Sequence, residues 1–203
     1  MQIVGLTGNV ASGKSTVAEL WRSWGVPVVS ADVLARQAVE AGSSGLREVV
    51  SAFGPGVLNE DGSMDRGAVR AVVFEDDEAR VKLESIIHPR VRVLRDQWTA
   101  ARRDWGAPQV VWEIPLLFET GMDEEVDVVV LVDAPEAERV QRMTLHRGLT
   151  QSEAEGIMQA QGDAAEKRSA ADIVINNGGG MDQLARQARR ALDRLRQLLG
   201  PSS

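Results

Sequence analysis

The sequence predicts an α/β fold: a five-stranded parallel sheet with helices on both faces. Three observations carry the prediction. Five short apolar runs read as buried strands, at 2–6, 26–30, 108–113, 127–133 and 172–176. Helical spacing fills most of the chain between them. A glycine-rich loop joins the first strand to the first helix, and such a loop belongs at the edge of a parallel sheet.

The elements follow in order. "QIVGL" at 2–6 is a buried strand before glycine. Val17, Leu20, Trp21 and Trp24 then fall on one face of a helix over 13–24, ended by Gly25. "VPVVS" is the second strand, and a short helix is expected over about 33–41. The region 43–105 contains helical patterns ("LREVVSAF", "GAVRAVVF", "ARVKLESII", "RVRVLRDQW") and no convincing buried strand, so it reads as a helical insertion with turns at 54–56 and 61–63. "PQVVWE" returns to strand. "DVVVLVD" is the strongest strand, continuously apolar from Val128 to Val132, as suits a parallel strand covered on both faces. A helix follows over 135–147. Thr150 and Glu153 then form a capping box. "DIVIN" is the fifth strand, glycines 178–180 break the chain, and Leu184, Ala188, Leu192, Leu195 and Leu199 line a last amphipathic helix.

Composition narrows the function classes. The 203 residues are 43% apolar and 26% charged, enough for a sizeable core and unlike a disordered chain. A net charge of −7 argues against broad nucleic-acid binding, although arginines cluster at 90–95 and 139–147. The absence of cysteine removes disulfides and thiolate metal sites. No apolar run reaches membrane-spanning length, and no basic start with a long apolar stretch marks export, so a cytoplasmic location is expected.

Gly8, Gly13, Lys14 and Ser15 match G-x-x-x-x-G-K-[ST], with Ala11 and Ser12 inside the loop and Thr16 after it. The spacing curls the backbone so that successive N–H groups point at phosphate oxygens, and the following helix adds its positive end. Lys14 reaches the β- and γ-phosphates, and the Ser15 hydroxyl suits a Mg²⁺ ligand. The motif therefore points to a nucleoside triphosphate with Mg²⁺ and leaves open what the nucleotide is used for. Read as a kinase, the fold is a P-loop kinase core with the insertion and a lid as its additions. Asn9, tolerant of positive φ, and the small Ala11 stand where glycine is also common.

A kinase needs a group that orients the attacking hydroxyl. Asp32, just past strand two, is the leading candidate, with Arg36 one helical turn on. The plainer alternative is that Asp32 caps a helix beginning at Val33. Glu113, at the end of the third strand, is the rival base. Arg142 and Arg147 are candidate lid cations over the transferring phosphate, with Arg147 beside Gly148 preferred and Lys167 and Arg168 third. The polar "AQGDAAEKR" fits a hinged lid; its plain alternative, like that of the arginines, is a solvated face. His88 before Pro89 reads as functional or as a helix end, and "EIPLLFE" as core or as an apolar substrate wall.

Together "GLTGNVASGKST", "SADVLAR", "IIHPRV", "EIPLLFE" and "EKRSAADIVINNG" resemble the dephospho-CoA kinase family, in that family's order and almost from end to end. The resemblance implies transfer of the ATP γ-phosphate to the ribose 3′-hydroxyl of dephospho-CoA, the last step of coenzyme A synthesis. It also implies a nucleotide-binding core (1–42, 108–134, 170–203), a helical acceptor domain (43–107) and a lid (135–169). Asp32 would be the base. His88 with Pro115, Leu116, Leu117 and Phe118 would lie at the acceptor side, and Arg147 in the lid. The family usually carries Asp-Ala-Asp after strand two; here it reads Ser30-Ala31-Asp32, keeping the carboxylate at the catalytic position. The competing readings are another P-loop small-molecule kinase and a regulatory nucleotide switch. Neither an N-K-x-D sequence nor a D-x-x-G sequence after strand three supports the switch.

Overall fold

The computed structural model describes residues 1–159 and 164–199. Five strands, β1 (Gln2–Thr7), β2 (Val28–Ser30), β3 (Gln109–Glu113), β4 (Val128–Asp133) and β5 (Ile173–Asn176), form one parallel sheet in the order β2-β3-β1-β4-β5. All five expected strands are present; β1 starts as expected and runs one residue further, and the other four are trimmed at their starts. Asp127 and Asp172 stay just outside β4 and β5, and their carboxylates accept hydrogen bonds from the amides of Ile3 and Val129. A short side-chain acceptor competes with the ladder for backbone donors, so it marks where a strand begins.

The central strand is β1, paired with β3 and β4 on its two sides. The register sets Leu6 against Glu113 and Thr7 against Leu131. The carboxyl ends of three strands thus finish at one level, the edge where such sheets bind ligands. Helix α1 (Lys14–Ser23) and helix α9 (Met181–Leu198) cover one face. Trp21 is fully buried there, and its indole N–H donates to the Ala188 carbonyl at 3.0 Å. Burying an indole is favourable only if its N–H finds such a partner. Helices α6 (Glu136–Arg147), α7 (Gln151–Gln159) and α8 (Ala164–Ala170) lie between β4 and β5 in the chain. The Thr150–Glu153 capping box opens α7 as expected, with reciprocal bonds between the two residues. Residues 160–163 of the polar stretch expected in the lid fall outside the described residues.

The chain divides into two compact units, Met1–Val28 with Arg102–Ser203, and Val29–Ala101. The second begins its helices with α2 (Ala31–Ala38) and has its own small core of Val39, just after α2, Leu46 and Val49 of α3 (Ser44–Phe53), Val57, Val69 of α4 (Arg66–Glu75) and Ile86 of α5 (Asp77–Asp104). Two expectations are corrected here. Helix α2 begins at Ala31 rather than Val33. Pro89 does not end a helix: α5 runs unbroken through it for 28 residues. Proline removes the bond to the carbonyl four residues back and crowds it. Beside that gap the Arg90 guanidinium donates to the Ile86 carbonyl at 2.6 Å and to Glu48 at 2.6 Å. Among the described residues no helix is long and apolar enough to cross a membrane.

Candidate active site

The loop between β1 and α1 is shaped by close approaches that only glycine permits. A Cβ on Gly8 would stand 2.5 Å from the Val132 carbonyl oxygen and 2.6 Å from Ser12 Oγ. Gly13 has φ 94° and lies against the Asn177 amide, where a Cβ would collide. Between them Ala11 takes φ 58°, the one non-glycine positive φ among the described residues. Of the two residues standing where glycine is also common, Ala11 and not Asn9 takes the positive φ. For alanine this conformation costs about 1–2 kcal/mol, so the surroundings must hold it.

They do so through three successive carbonyls. Arg139 Nε donates to Val10 O at 2.9 Å, Arg142 Nη1 to Ala11 O at 3.2 Å, and Asn177 Nδ2 to Ser12 O at 2.8 Å. Arg142 also donates to Asn177 O at 2.9 Å. With these carbonyls turned outward, a curled loop presents its N–H groups inward. The first intrahelical bond of α1 runs from Val17 N to Gly13 O, so the amides of Lys14, Ser15 and Thr16 precede the ladder and are placed for an anion. Arg139 is 4% exposed, and burial lowers its pKa, with Asp133 and Glu136 acting the other way. An arginine so shifted remains a cation at neutral pH.

Glu113 gathers the motif's functional groups. Its Oε1 accepts from Lys14 Nζ at 2.9 Å and from Ser15 Oγ at 2.9 Å, while Oε2 accepts from Arg22 at 3.2 Å. Lys14 and Glu113 are both buried. Burial alone raises the Glu113 pKa, but the Lys14 charge, the hydrogen bonds from Lys14 and Ser15, and the Arg22 charge outweigh it, and the carboxyl titrates below its ordinary value. A carboxylate fixed this way is an acceptor and a charge partner, and the sequence had offered it only as a rival base.

The other candidates sit differently. Arg142, expected at the nucleotide, is bonded to the loop's backbone. Arg147 is exposed at the end of α6, before Gly148 in the left-handed region at φ 66°. Lys167 is buried and donates to Asn9 Oδ1 and Glu119. Arg168 bonds Asp133 at 2.6 Å and Asn176 at 3.0 Å. The stretch expected at the acceptor divides. Leu117 is fully buried against Gly5 and belongs to the core. Leu116 is exposed, Phe118 is half-buried, and the Pro115 carbonyl accepts from Thr7 Oγ1 at 3.3 Å. In the second unit Asp32, Arg36 and His88 are exposed. Asp32 is the second residue of α2 and Ser30 holds the N-cap position, so Asp32 is a first-turn carboxylate and not the cap of the plainer alternative.

Sequence reasoning passed over Arg139 and Asn177 as holders of the loop. Their only signal was position, on the helix after β4 and in the turn after β5.

Comparison with known proteins agrees with this arrangement. The family model for dephospho-CoA kinase matches residues 2–183. The chain is 44% identical over 196 residues to the dephospho-CoA kinase of Anaeromyxobacter dehalogenans, covering 97% of this chain and 93% of that one. It is 42% identical to the dephospho-CoA kinase of Geobacillus kaustophilus, over 91% of this chain and 92% of the relative. Among solved structures, a Thermus thermophilus protein superposes with a TM-score of 0.80 at 39% identity, over 96% of this chain and 97% of its own. A shikimate kinase from Acinetobacter baumannii, at 14% identity and a TM-score of 0.54 over 97% and 94% of the two chains, shares the fold alone. With a P-loop set on the central strand of a parallel sheet and relatives matched over nearly their whole length, the chain belongs to the dephospho-CoA kinase family, ATP-dependent kinases that transfer phosphate to an alcohol hydroxyl.

Proposed function

We propose that this chain transfers the γ-phosphate of ATP to the ribose 3′-hydroxyl of dephospho-CoA, giving ADP and coenzyme A, in the cytoplasm. The observation that carries the reading is the match to dephospho-CoA kinases over almost the whole chain, donor loop and acceptor sequences alike.

The amides of the loop and of the first turn of α1 cradle the phosphates, and Lys14 leaves Glu113 to follow the transferring group. Phosphoryl transfer asks the protein mainly for position and charge. The residues present suit Mg²⁺: Ser15 Oγ and a Glu113 oxygen lie 2.9 Å apart, and one hydroxyl with one carboxylate matches a small cation that otherwise keeps water and phosphate oxygens. Bound there, Mg²⁺ would neutralise charge on the phosphates. Asp32 is the base that orients the acceptor hydroxyl and takes its proton, and Arg36 on the same helical face meets acceptor phosphate. His88, Leu116 and Phe118 serve the acceptor, with Leu117 supporting the stretch from beneath. Arg147 contributes charge from the lid (135–169), and residues 43–107 form the acceptor domain.

The test is a single reaction: purified protein, Mg-ATP and dephospho-CoA, analysed by mass spectrometry. A product one phosphate heavier is expected. Turnover of nucleosides or shikimate in place of dephospho-CoA would replace this reading with that of another small-molecule kinase.

A further inference from the structure

The one buried side chain of α8 is a lysine, Lys167, 8% exposed. A buried ammonium is costly unless it is paired and hydrogen-bonded, so its partners deserve a reason. One is Asn9 Oδ1 at 2.9 Å, in the second residue of the phosphate loop and itself 8% exposed. The other is the carboxylate of Glu119, whose side chain is 35% exposed. Glu119 ends the stretch that carries Leu116 and Phe118. Lys167 therefore joins two segments lying 158 and 48 residues away along the chain.

The chemistry gives this junction a consequence. An amide side chain has one acceptor end and one donor end. With Oδ1 of Asn9 held by the ammonium, the Nδ2 group remains a donor in the loop, the polarity that phosphate oxygen requires. Any shift of Glu119 changes how firmly Lys167 holds that amide. Phosphates arriving at the loop compete in turn with Glu119 for the ammonium.

We propose that Lys167 is a positioning residue for phosphoryl transfer, linking the 115–119 stretch to the phosphate loop so that acceptor and nucleotide occupancy alter each other's affinity. The proposal rests on the kinase reading above. Binding coupling of this kind is reciprocal, with a typical size of about 5–150-fold.

The experiment titrates a non-hydrolysable ATP analogue with Mg²⁺ into the full chain by calorimetry, with and without saturating dephospho-CoA. The wild type, Lys167→Met, Glu119→Gln and the double variant are compared, and steady-state kcat and KM are measured for each. In the wild type, dephospho-CoA should change the analogue's Kd at least about fivefold. In both single variants the ratio should fall to about one, and the double variant should be no further from wild type than either, as expected for residues acting as one unit. A residue with a merely structural role would lower the melting temperature and leave the ratio in place. Should Lys167→Met fail to fold, Glu119→Gln, altered at a partly exposed carboxylate, decides the matter. A wild type that turns over dephospho-CoA with a ratio of one, or variants that keep the wild-type ratio, would overturn the proposal alone. A wild type with no turnover of dephospho-CoA would overturn the underlying reading as well.

Discussion

In the phosphate loop Lys14 rests on Glu113 at 2.9 Å, Arg142 on Ala11 O at 3.2 Å and Arg139 on Val10 O at 2.9 Å. In the unit Val29–Ala101 the acceptor candidates Asp32, Arg36 and His88 stand exposed on helices. The contrast shows two ways of preparing a charge. The loop's cations are desolvated and paired before any substrate arrives, so the cost of fixing them is met on folding. The exposed acceptor candidates keep their water and would give it up only to a ligand. Preorganised charge acts most strongly in the transition state. Exposed charge contributes through what it touches after binding.

Five substitutions test this contrast. Lys14→Ala has the largest expected effect, a fall in kcat of about a thousandfold, the upper range for losing one preorganised donor. The fold should persist, because Glu113 keeps Ser15 and Arg22 as partners. Near-normal turnover would remove the loop from the chemistry.

Asp32→Asn comes next, with kcat expected to drop about a hundredfold, the low end for a general base whose reaction depends more on position than on proton removal. Since Asp32 is exposed and is not the side-chain cap of α2, its melting temperature should stay within a degree or two. If Asp32→Asn keeps its activity and Glu113→Gln loses it, the two carboxylates must exchange roles.

The arginines of α6 should separate in kinetics. Arg142→Ala removes the strut beneath a left-handed alanine, so ATP affinity should weaken about tenfold, near the cost of that conformation. Arg147→Ala should instead lower kcat about tenfold with the KM for ATP nearly unchanged. Equal loss of kcat in both would mean that Arg142 meets the phosphate directly.

The smallest effect is on stability. Glu113→Gln leaves the buried Lys14 without its carboxylate, at a cost of about 2 kcal/mol or about 4–8 °C in a chain of this length. The sign with pH follows from the lowered pKa. The Glu113 contribution is fully present above the unfolded value near 4.5 and is lost as pH falls through the folded-state value beneath it. The gap in melting temperature between wild type and Glu113→Gln should therefore be widest at neutral pH and narrow on acidification. A gap independent of pH would remove the ion pair as its cause.

What was legible in the sequence is what short-range physics dictates. Continuous Val128–Val132 must be a covered strand, and two glycines around a Lys-Ser pair must form a curled loop before a helix. The Thr150–Glu153 box was equally local, because both partners lie in one turn. Helix α5 was misread because proline's local penalty is real, and only the structure shows the helix running on through Pro89, with Arg90 beside it bonded back to Ile86 and across to Glu48.

The tertiary structure alone decided which polar groups share a buried space. Glu113 meets Lys14, 99 residues away, because β3 and β1 pair in register, and Lys167 meets Asn9 across 158. Leu117 became core while its neighbour Leu116 stayed outside, although their hydropathy is identical. Periodicity reports the face on which a side chain lies. The partner waiting on that face is set by the packing of distant segments, and the low dielectric there is what gives such pairings their energy.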